Sequence, residues 1–219
     1  MIANLVLAAG SSSRLGRPKQ LEPWGGTTLL GTVLEGVEKM GSEETWVVLG
    51  AAHERVLAEV DLSGCKVVIN HEWRSGVAGS LRAGLDALER GSSASAALIL
   101  MGDQPGIPPQ TAARLREAYQ PGVTPAVVPR YRYTNSNPVL VDRALWRRLM
   151  MLDGDRGAMR LFQAHPEWVT EVWFPQLPPE DVDDQEDVER LRPTHHRQGA
   201  DRPSSRGVRG GSQGKPVAS

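Results

Sequence analysis

The first stretch whose residue types suit chemistry is LVLAAGSSSRLGRPKQL, residues 5–21. An apolar run ends in Ala-Ala-Gly, three serines follow, and basic residues come directly after them. Gly10 and Gly16 would let backbone N–H groups come close to an anion. Arg14 and Lys19 would supply the positive charge that phosphate oxygens attract. The stretch therefore suggests a phosphate-binding loop, although it matches neither common glycine-rich nucleotide motif, and a solvated loop with incidental basic residues has the same pattern.

Two acidic segments could hold a cation near such a loop. Asp103 ends the apolar run SAALILMGD, where a hard cation bound to phosphates would need an oxygen ligand. The alternative is an aspartate that caps the following turn. Later, PPEDVDDQEDVERL offers Asp181, Asp183 and Asp184 as second carboxylates. An acidic cluster before a helix is also favoured by the helix dipole alone.

The elements that must position these residues follow from the hydrophobic periodicity. Strands are predicted over 2–9, 44–50, 65–70, 95–103, 124–129, 137–141 and 168–174. Helices are predicted over 27–40, 52–60, 79–91, 108–119, 143–152, 155–166 and 184–191. Strands that alternate with helices predict an α/β fold with a mainly parallel sheet covered on both faces. Ligands of such sheets bind outside the carboxyl ends of the strands, where the loop and Asp103 are expected.

Composition narrows the class of protein. The 219 residues have a net charge of −1, which gives no general reason to expect nucleic acid as a partner. No apolar run approaches the length of a membrane span, and the first residues lack a signal-peptide pattern, so we expect a cytoplasmic protein. Cys65 is the single cysteine, which excludes an internal disulfide. The five histidines show no metal-ligand spacing, and we find no Ser-His-Asp or Cys-His arrangement. We expect one domain over 1–193 and a disordered Gly/Ser/Arg-rich tail over 194–219.

With these sites in hand, the sequence resembles the MobA-like nucleotidyltransferases, and most of all the branch that contains molybdenum cofactor cytidylyltransferase. The matching stretches are LAAGSSSRLGRPKQL, NHEWRSGVAGSLRAGL, LILMGDQP, NPVLV, DGDRGAMRLFQAHP and DVDDQEDVERL, in family order over residues 2–191. The first motif together with GDQP is the specific part. The resemblance implies a three-layer Rossmann-like nucleotidyltransferase fold with a mixed, mainly parallel sheet.

The resemblance also implies a role for each matching position. Arg14 and Lys19 would hold the triphosphate and, with Asp103, act in catalysis. Asp103 and Asp183 would bind Mg²⁺. The remaining nucleotide-binding positions would hold the base and the sugar or close the pocket: Leu7, Ala8, Ala9, Gly10, Asn70 and Ser80.

The first motif bears on the choice of base. Guanylyl-transferring members of the family tend to have Leu-Ala-Gly-Gly there, and cytidylyl-transferring members have Leu-Ala-Ala-Gly, as this chain does. CTP is therefore expected, since a methyl group at Ala9 narrows the space beside the base. Three positions depart from the family pattern: Ser136 replaces a usual glycine, Gly79 a usual serine or alanine, and Asp184-Gln185 a usual Thr-Pro.

The expected reaction is transfer of CMP from CTP to the phosphate of molybdopterin with release of pyrophosphate. The alternatives are a guanylyltransferase that uses GTP and acts on molybdopterin or a small phosphorylated acid, a sugar-phosphate nucleotidyltransferase, and a non-catalytic carrier that hands cofactor to a molybdoenzyme. A carrier would not need Lys19, Asp103 and a late carboxylate together. The transferase hypothesis requires these three side chains to meet around one triphosphate.

Overall fold

The computed structural model describes residues 1–42, 44–154 and 157–193. Its strands are β1 Ile2–Ala8, β2 Pro23–Trp24, β3 Thr27–Thr28, β4 Thr45–Leu49, β5 Cys65–Ile69, β6 Ala96–Met101, β7 Ala126–Tyr131, β8 Thr134–Asn135, β9 Val139–Asp142 and β10 Val169–Phe174. Its helices are α1 Leu29–Lys39, α2 His53–Glu59, α3 Val77–Gly91, α4 Pro109–Ala118, α5 Arg143–Met150, α6 Ala158–Ala164 and α7 Gln185–Leu191. The expected tail over 194–219 lies outside the described residues.

The main sheet has eight strands in the order β10-β7-β9-β6-β1-β4-β5, with β8 paired to β7. β1 lies between β4 and β6 and runs parallel to both. β9 runs antiparallel to β6 and β7, so the sheet is mixed and mainly parallel, as predicted. From β1 the chain first builds one side of the sheet through β4 and then the other side through β6. This reversal of strand order makes the carboxyl end of β1 the expected ligand position.

Alternation along β1 connects the sheet to both helix layers. Val6 and Ala8 belong to one apolar cluster, and Leu5 and Leu7 belong to another. The first cluster packs under α1, α2 and α4, and the second packs under α3, α5 and α6. Because successive side chains of a strand point to opposite faces, a strand with apolar residues at every position is buried on both sides. The predicted three-layer Rossmann-like fold is confirmed.

A third, smaller apolar cluster attaches α7 to the segment that follows β1. It consists of Leu15, Trp24, Leu29, Val182 and Val188. The prediction placed 27–28 at the start of a helix, but these residues form β3, which pairs with β2. Gly25 and Gly26 connect the two strands with φ values of 55° and 96°, and two consecutive positive φ values favour a tight hairpin. The Thr28 side chain then caps α1 by accepting from the Gly31 N–H.

Candidate active site

A cleft of about 500 Å³ opens at the carboxyl ends of β1 and β6. It is bounded by the chain after β1, the loop after β6 and the first turn of α3. Eight of the site residues implied by the family resemblance line it: Leu7, Ala8, Ala9, Gly10, Lys19, Ser80, Asp103 and Asp183. The structure therefore brings most of the candidate positions into one cavity, although they are spread over more than 170 residues of sequence.

The floor of the cleft is formed where β6 lies directly against β1. A Cβ atom on Gly102 would lie 2.7 Å from the Ala8 Cβ atom, which no side chain tolerates without a shift. The Gly102 N–H donates to the Leu7 carbonyl at 2.8 Å and extends the parallel pairing by one residue. Glycine at this position therefore allows the close approach that places Asp103 beside the end of β1.

The loop after β1 folds into a fixed turn. Ser12 has a φ of 56°, and its carbonyl accepts from the N–H groups of Leu15 and Gly16 at 3.1 Å each. Gly16 has a φ of 71°, a conformation that glycine adopts without strain. The Ser12 hydroxyl oxygen accepts from the Lys19 N–H at 2.9 Å. These bonds set the direction in which the Lys19 side chain leaves the backbone.

Gln20 supports the same loop and was not singled out in the sequence. Its side-chain amide donates to the Ala8 carbonyl at 2.9 Å and to the Gly10 carbonyl at 3.0 Å. The residue is buried, with 3% of its surface exposed. A single polar residue next to a lysine carries no periodic signal, so only the folded chain shows that Gln20 holds the end of β1.

We expect Gln20→Leu to lower the free energy of unfolding by about 1–3 kcal/mol, because the buried Ala8 carbonyl and the part-buried Gly10 carbonyl lose their donor. Urea denaturation measures this change. Gln163→Leu, an exposed glutamine on α6, is the matched control and should stay within about 0.5 kcal/mol of the parent. Equal stability of the Gln20 variant and the control would contradict the supporting role of Gln20.

Lys19 connects the two candidate carboxylates. Its Nζ donates to Oδ2 of Asp103 at 2.5 Å and to Oδ1 of Asp183 at 2.9 Å. The Arg14 guanidinium donates to Oδ2 of Asp183 at 2.7 Å. The side chains of Lys19 and Asp103 are only 13% and 15% exposed, whereas that of Arg14 is 67% exposed. Two cations and two anions therefore form one cluster that closes one end of the cleft.

The pKa values in this cluster shift in opposite directions. Burial lowers the pKa of the Lys19 ammonium, but the charges and hydrogen bonds of Asp103 and Asp183 outweigh burial and leave the pKa raised. Burial raises the pKa of the Asp183 carboxyl, but Lys19 and Arg14 outweigh this effect and leave that pKa lowered. Lys19 and Asp183 are therefore both charged at neutral pH.

The carboxylates fit a divalent cation that also binds substrate. The buried Oδ1 of Asp103 has no hydrogen-bond partner among the described residues, so it is available as a hard oxygen ligand. Within that same part of the chain, no group of three or more His, Cys, Asp or Glu residues could hold a metal by itself. Mg²⁺ and similar ions are usually held by one or two carboxylates together with substrate phosphates and water. The pair formed by Asp103 and Asp183 matches that pattern.

Asp183 reaches the cleft because the segment before α7 is attached to the loop after β6. The Val182 N–H donates to the Asp103 carbonyl at 3.0 Å, so the two aspartates lie on bonded backbone segments. The Asp184 side chain instead caps α7 by accepting from the Asp187 N–H. Gln185 accepts from Arg17 at 3.0 Å. The departure from the family pattern at Asp184-Gln185 thus serves to cap and dock α7.

Asn70 lies behind the cleft wall. Its side-chain amide donates to the Ser80 hydroxyl at 3.2 Å, and its carbonyl oxygen accepts from the Glu72 N–H at 3.0 Å. Both residues are buried, but only Ser80 is among the residues that line the cleft. Arg14 likewise does not line the cleft and contacts it through Asp183. Contact of Asn70 with a nucleoside stays a prediction.

A tight turn over 72–76 contributes to the cleft wall and places Trp73 among the residues that line it. A Cβ atom on Gly50 would lie 2.5 Å from the Ala9 carbonyl oxygen and 2.7 Å from the Trp73 Cβ atom. A Cβ atom on Gly79 would lie 1.9 Å from the Ser75 hydroxyl oxygen. The unusual Gly79 is therefore explained by the close packing of this turn on α3.

We expect Gly50→Ala to destabilise the protein by about 1–3 kcal/mol, because the added methyl group meets backbone and Cβ atoms that cannot rotate away. Gly36→Ala is the matched control, since a Cβ atom there meets nothing within 4 Å. It should stabilise α1 by roughly 0.5–1 kcal/mol through helix propensity. Thermal unfolding of both variants checks the pair, and a neutral Gly50 variant would contradict the tight packing.

The fold and the cleft define a class of protein, an α/β protein with a charged cleft at the switch point of its sheet, where such folds bind ligands. A family profile described as the MobA-like NTP transferase domain matches residues 4–169. The chain belongs to this MobA-like NTP transferase family, as the sequence predicted. Asp183 and α7 lie beyond the matched range.

Individual relatives agree with this assignment. Nicotine blue oxidoreductase from Paenarthrobacter nicotinovorans is 32% identical over 200 residues, which cover 87% of this chain and 96% of that protein. Rv0371c from Mycobacterium tuberculosis H37Rv is 34% identical with a TM-score of 0.78, over 87% of this chain and 96% of that chain. Rv0371c has also been solved in complex with manganese, at 31% identity and a TM-score of 0.76, over 87% of this chain and 97% of that one.

A more distant structure supports the fold alone. The nucleotidyl transferase Mth528 from Methanothermobacter thermautotroptrophicus is 24% identical with a TM-score of 0.73, over 88% of this chain and 96% of that chain.

Across the ranges that the structure describes, no helix combines the length and the apolar content needed to cross a membrane.

Proposed function

We propose that this protein is a Mg²⁺-dependent cytidylyltransferase that moves CMP from CTP to the terminal phosphate of molybdopterin and releases pyrophosphate. The observation that supports it most strongly is the cluster of Lys19, Asp103 and Asp183 at one end of the cleft, with distances of 2.5 and 2.9 Å from the ammonium to the two carboxylates. A nucleotidyl transfer needs these groups together, whereas a carrier of cofactor does not.

The bond changes require little of the protein beyond position and charge. An oxygen of the acceptor phosphate forms a bond to the α-phosphorus of CTP, and the bond from that phosphorus to the β-phosphate oxygen breaks. Pyrophosphate leaves with the electron pair. The acceptor phosphate is anionic at neutral pH, so no enzymic base is needed, and catalysis comes from alignment and from charge stabilisation.

The chain's own residues have separable tasks in this reaction. The backbone at Ala8, Ala9 and Gly10 would hold the base and the sugar. Lys19 would turn from its two carboxylates to the leaving phosphates, and Arg14 would assist it. Asp103 and Asp183 would then hold a divalent cation, which when bound supplies charge to neutralise the phosphate oxygens. The manganese complex of Rv0371c supports a divalent cation in a related protein.

The preference for CTP rests on the first motif. Ala9 is buried and lines the cleft, so its methyl group narrows the region assigned to the base. A pyrimidine needs less width than a purine there. The choice of molybdopterin as the acceptor rests on the family resemblance. A recipient molybdoenzyme would take the product.

The deciding experiment incubates the protein with each of the four nucleoside triphosphates, Mg²⁺ and molybdopterin, and measures pyrophosphate release. We expect release with CTP that depends on both molybdopterin and metal. Release with GTP in place of CTP would move the assignment to a guanylyltransferase. Absence of release with all four would contradict the transferase proposal.

A second candidate function follows from one relative. Nicotine blue oxidoreductase aligns over 96% of its own length and is named an oxidoreductase. A redox reaction on such a dye is therefore the alternative for this chain. Such a reaction would move a hydride from a reduced nicotinamide, NADH or NADPH, to the dye, and a proton from water would complete the reduction. Loss of dye absorbance with NADH or NADPH, together with no pyrophosphate release, would favour it, and the Asp103→Ala variant should then keep its activity.

A further inference from the structure

Arg74 is a second cation of the cleft, and its charge is not used by the cluster at Lys19. It lines the same cavity as Lys19 and Asp103. Lys19 and Arg14 share the carboxylates of Asp103 and Asp183, whereas Arg74 forms no ion pair with any residue that the structure describes. An exposed cation in a cleft, with no carboxylate of the described ranges to neutralise it, is available for an anionic ligand.

Arg74 is also held in a defined orientation. Its guanidinium carbon lies 4.2 Å from the centroid of the Trp73 ring, as in a cation–π stack. Trp73 in turn packs against the core, and the Ser75 hydroxyl closes the turn by donating to the Glu72 carbonyl at 2.7 Å. The missing side chains of Gly50 and Gly79 make room for this turn. The close contacts of Gly50 with Trp73 and of Gly79 with Ser75 thus hold in place the Trp73 ring that Arg74 contacts.

Stacking leaves the binding capacity of Arg74 intact. The contact of Arg74 is with an aromatic ring and not with a carboxylate, and its guanidinium carries five N–H donors in one plane. In-plane N–H groups bind a phosphate through two parallel hydrogen bonds. Arg74 lines the cleft, so these donors are available to a phosphate that binds there.

Charge balance indicates which phosphate this is. A nucleotidyl transfer brings two anions into one cleft, the triphosphate and the acceptor phosphate. Lys19 and Arg14 lie together at the end assigned to the triphosphate. Trp73 and Arg74 line the same cleft from a different element, the turn before α3. We propose that Arg74, stacked on Trp73, binds the phosphate monoester of the acceptor. That this phosphate belongs to the acceptor rests on the proposed function, whereas the binding of a phosphate monoester by Arg74 does not.

The test compares Arg74→Gln with Arg14→Gln, two substitutions of the same kind at exposed arginines. Phenyl phosphate is the probe for the acceptor half. The probe for the nucleotide half is a CTP analogue whose α- and β-phosphorus atoms are joined by methylene, which prevents turnover. Isothermal titration gives both dissociation constants, with Mn²⁺ present, and phenyl phosphate is titrated with and without the analogue.

We expect Arg74→Gln to weaken phenyl phosphate by about tenfold or more and to leave the analogue within about twofold, since a bidentate phosphate contact is lost at one site only. Arg14→Gln should do the reverse. Arg74→Lys should be intermediate, because the charge remains while the paired N–H donors are lost. Trp73→Leu should also weaken phenyl phosphate, through loss of the supporting face.

Other outcomes would overturn the proposal. Equal weakening of both probes by Arg74→Gln would place Arg74 on the nucleotide phosphates, and no effect on either would make it a solvated side chain. Unchanged thermal unfolding of the variants excludes misfolding as the cause. If the parent protein releases no pyrophosphate with molybdopterin, the proposed function fails, and the phenyl phosphate titration still decides the role of Arg74.

Discussion

The Asp103→Ala variant is expected to lose turnover by a factor on the order of 100 or more, the size of effect seen when one key electrostatic group is removed from an active site. The substitution removes the carboxylate whose buried Oδ1 lacks a partner among the described residues, and it leaves Asp183 as the remaining acidic ligand. Pyrophosphate release at saturating CTP and molybdopterin measures the change.

Two comparisons separate this effect from a folding defect. Asp103→Asn keeps the size of the side chain and should lose similar activity, since the charge is what the cation needs. Asp61→Asn removes an exposed carboxylate that bonds the Ser63 N–H and should keep the parent turnover. Near-parent turnover in both Asp103 variants would show that the metal assignment is wrong.

The Lys19→Met variant is expected to have two effects of opposite sign. Its kcat/KM for CTP should fall by about 100-fold or more, because the triphosphate loses its main charge contact in a partly buried site. Its affinity for Mn²⁺ without nucleotide should rise by about tenfold, or roughly 1.4 kcal/mol, because Asp103 and Asp183 no longer have an ammonium between them. Steady-state kinetics and the electron paramagnetic resonance signal of free Mn²⁺ measure the two quantities.

Misfolding would weaken the binding of both nucleotide and metal. The opposite signs expected for Lys19→Met therefore distinguish the loss of the ammonium from a folding defect. Arg17→Gln is the matched control in the same loop, since Arg17 contacts Glu22 at 2.7 Å and Gln185 at 3.0 Å outside the cleft. Weaker Mn²⁺ binding in Lys19→Met would refute the view that the ammonium occupies the position of the cation.

The same contacts predict how acid affects stability. The pKa of Asp183 is lowered in the folded protein, so its ion pairs stabilise the fold above the ordinary carboxyl pKa, and this contribution is lost as pH falls through the folded-state value. Lys19→Met removes part of that lowering and should make stability less dependent on pH on the acid side.

Much of the candidate site could be predicted from the residue types at the ends of predicted strands. Lys19 and Asp103 follow buried strands, and the order of the elements places both at one sheet edge. Asp183 needed the family resemblance, since Asp181 and Asp184 were equal candidates by composition. The structure sets Asp184 apart as a helix cap, whereas burial and the nearby charges of Asp103 and Asp183 raise the pKa of the Asp181 carboxyl. Only Asp183 of the three forms the ion pair with Lys19.

Other features depend on contacts that no local pattern carries. Gln20 supports β1 through two carbonyls, and a lone glutamine gives no periodic signal. The bonds of the Asn70 side chain to Ser80 and Glu72 were not predicted, and its contact with the nucleoside stays a prediction. The hairpin at Gly25-Gly26 did have a local signal, a glycine pair between short strands, which the helical pattern after it obscured.

The attachment of α7 has a consequence for synthesis. Asp183 is held by a segment that packs against Leu15 and Trp24, so residues from both ends of the domain must meet before the second carboxylate is in place. A chain emerging from the ribosome can form β1, β4 and β6 and still lack Asp183, the proposed second ligand. Nascent protein would therefore stay catalytically silent until its last helix docks, and nucleoside triphosphates would not be consumed by half-made copies.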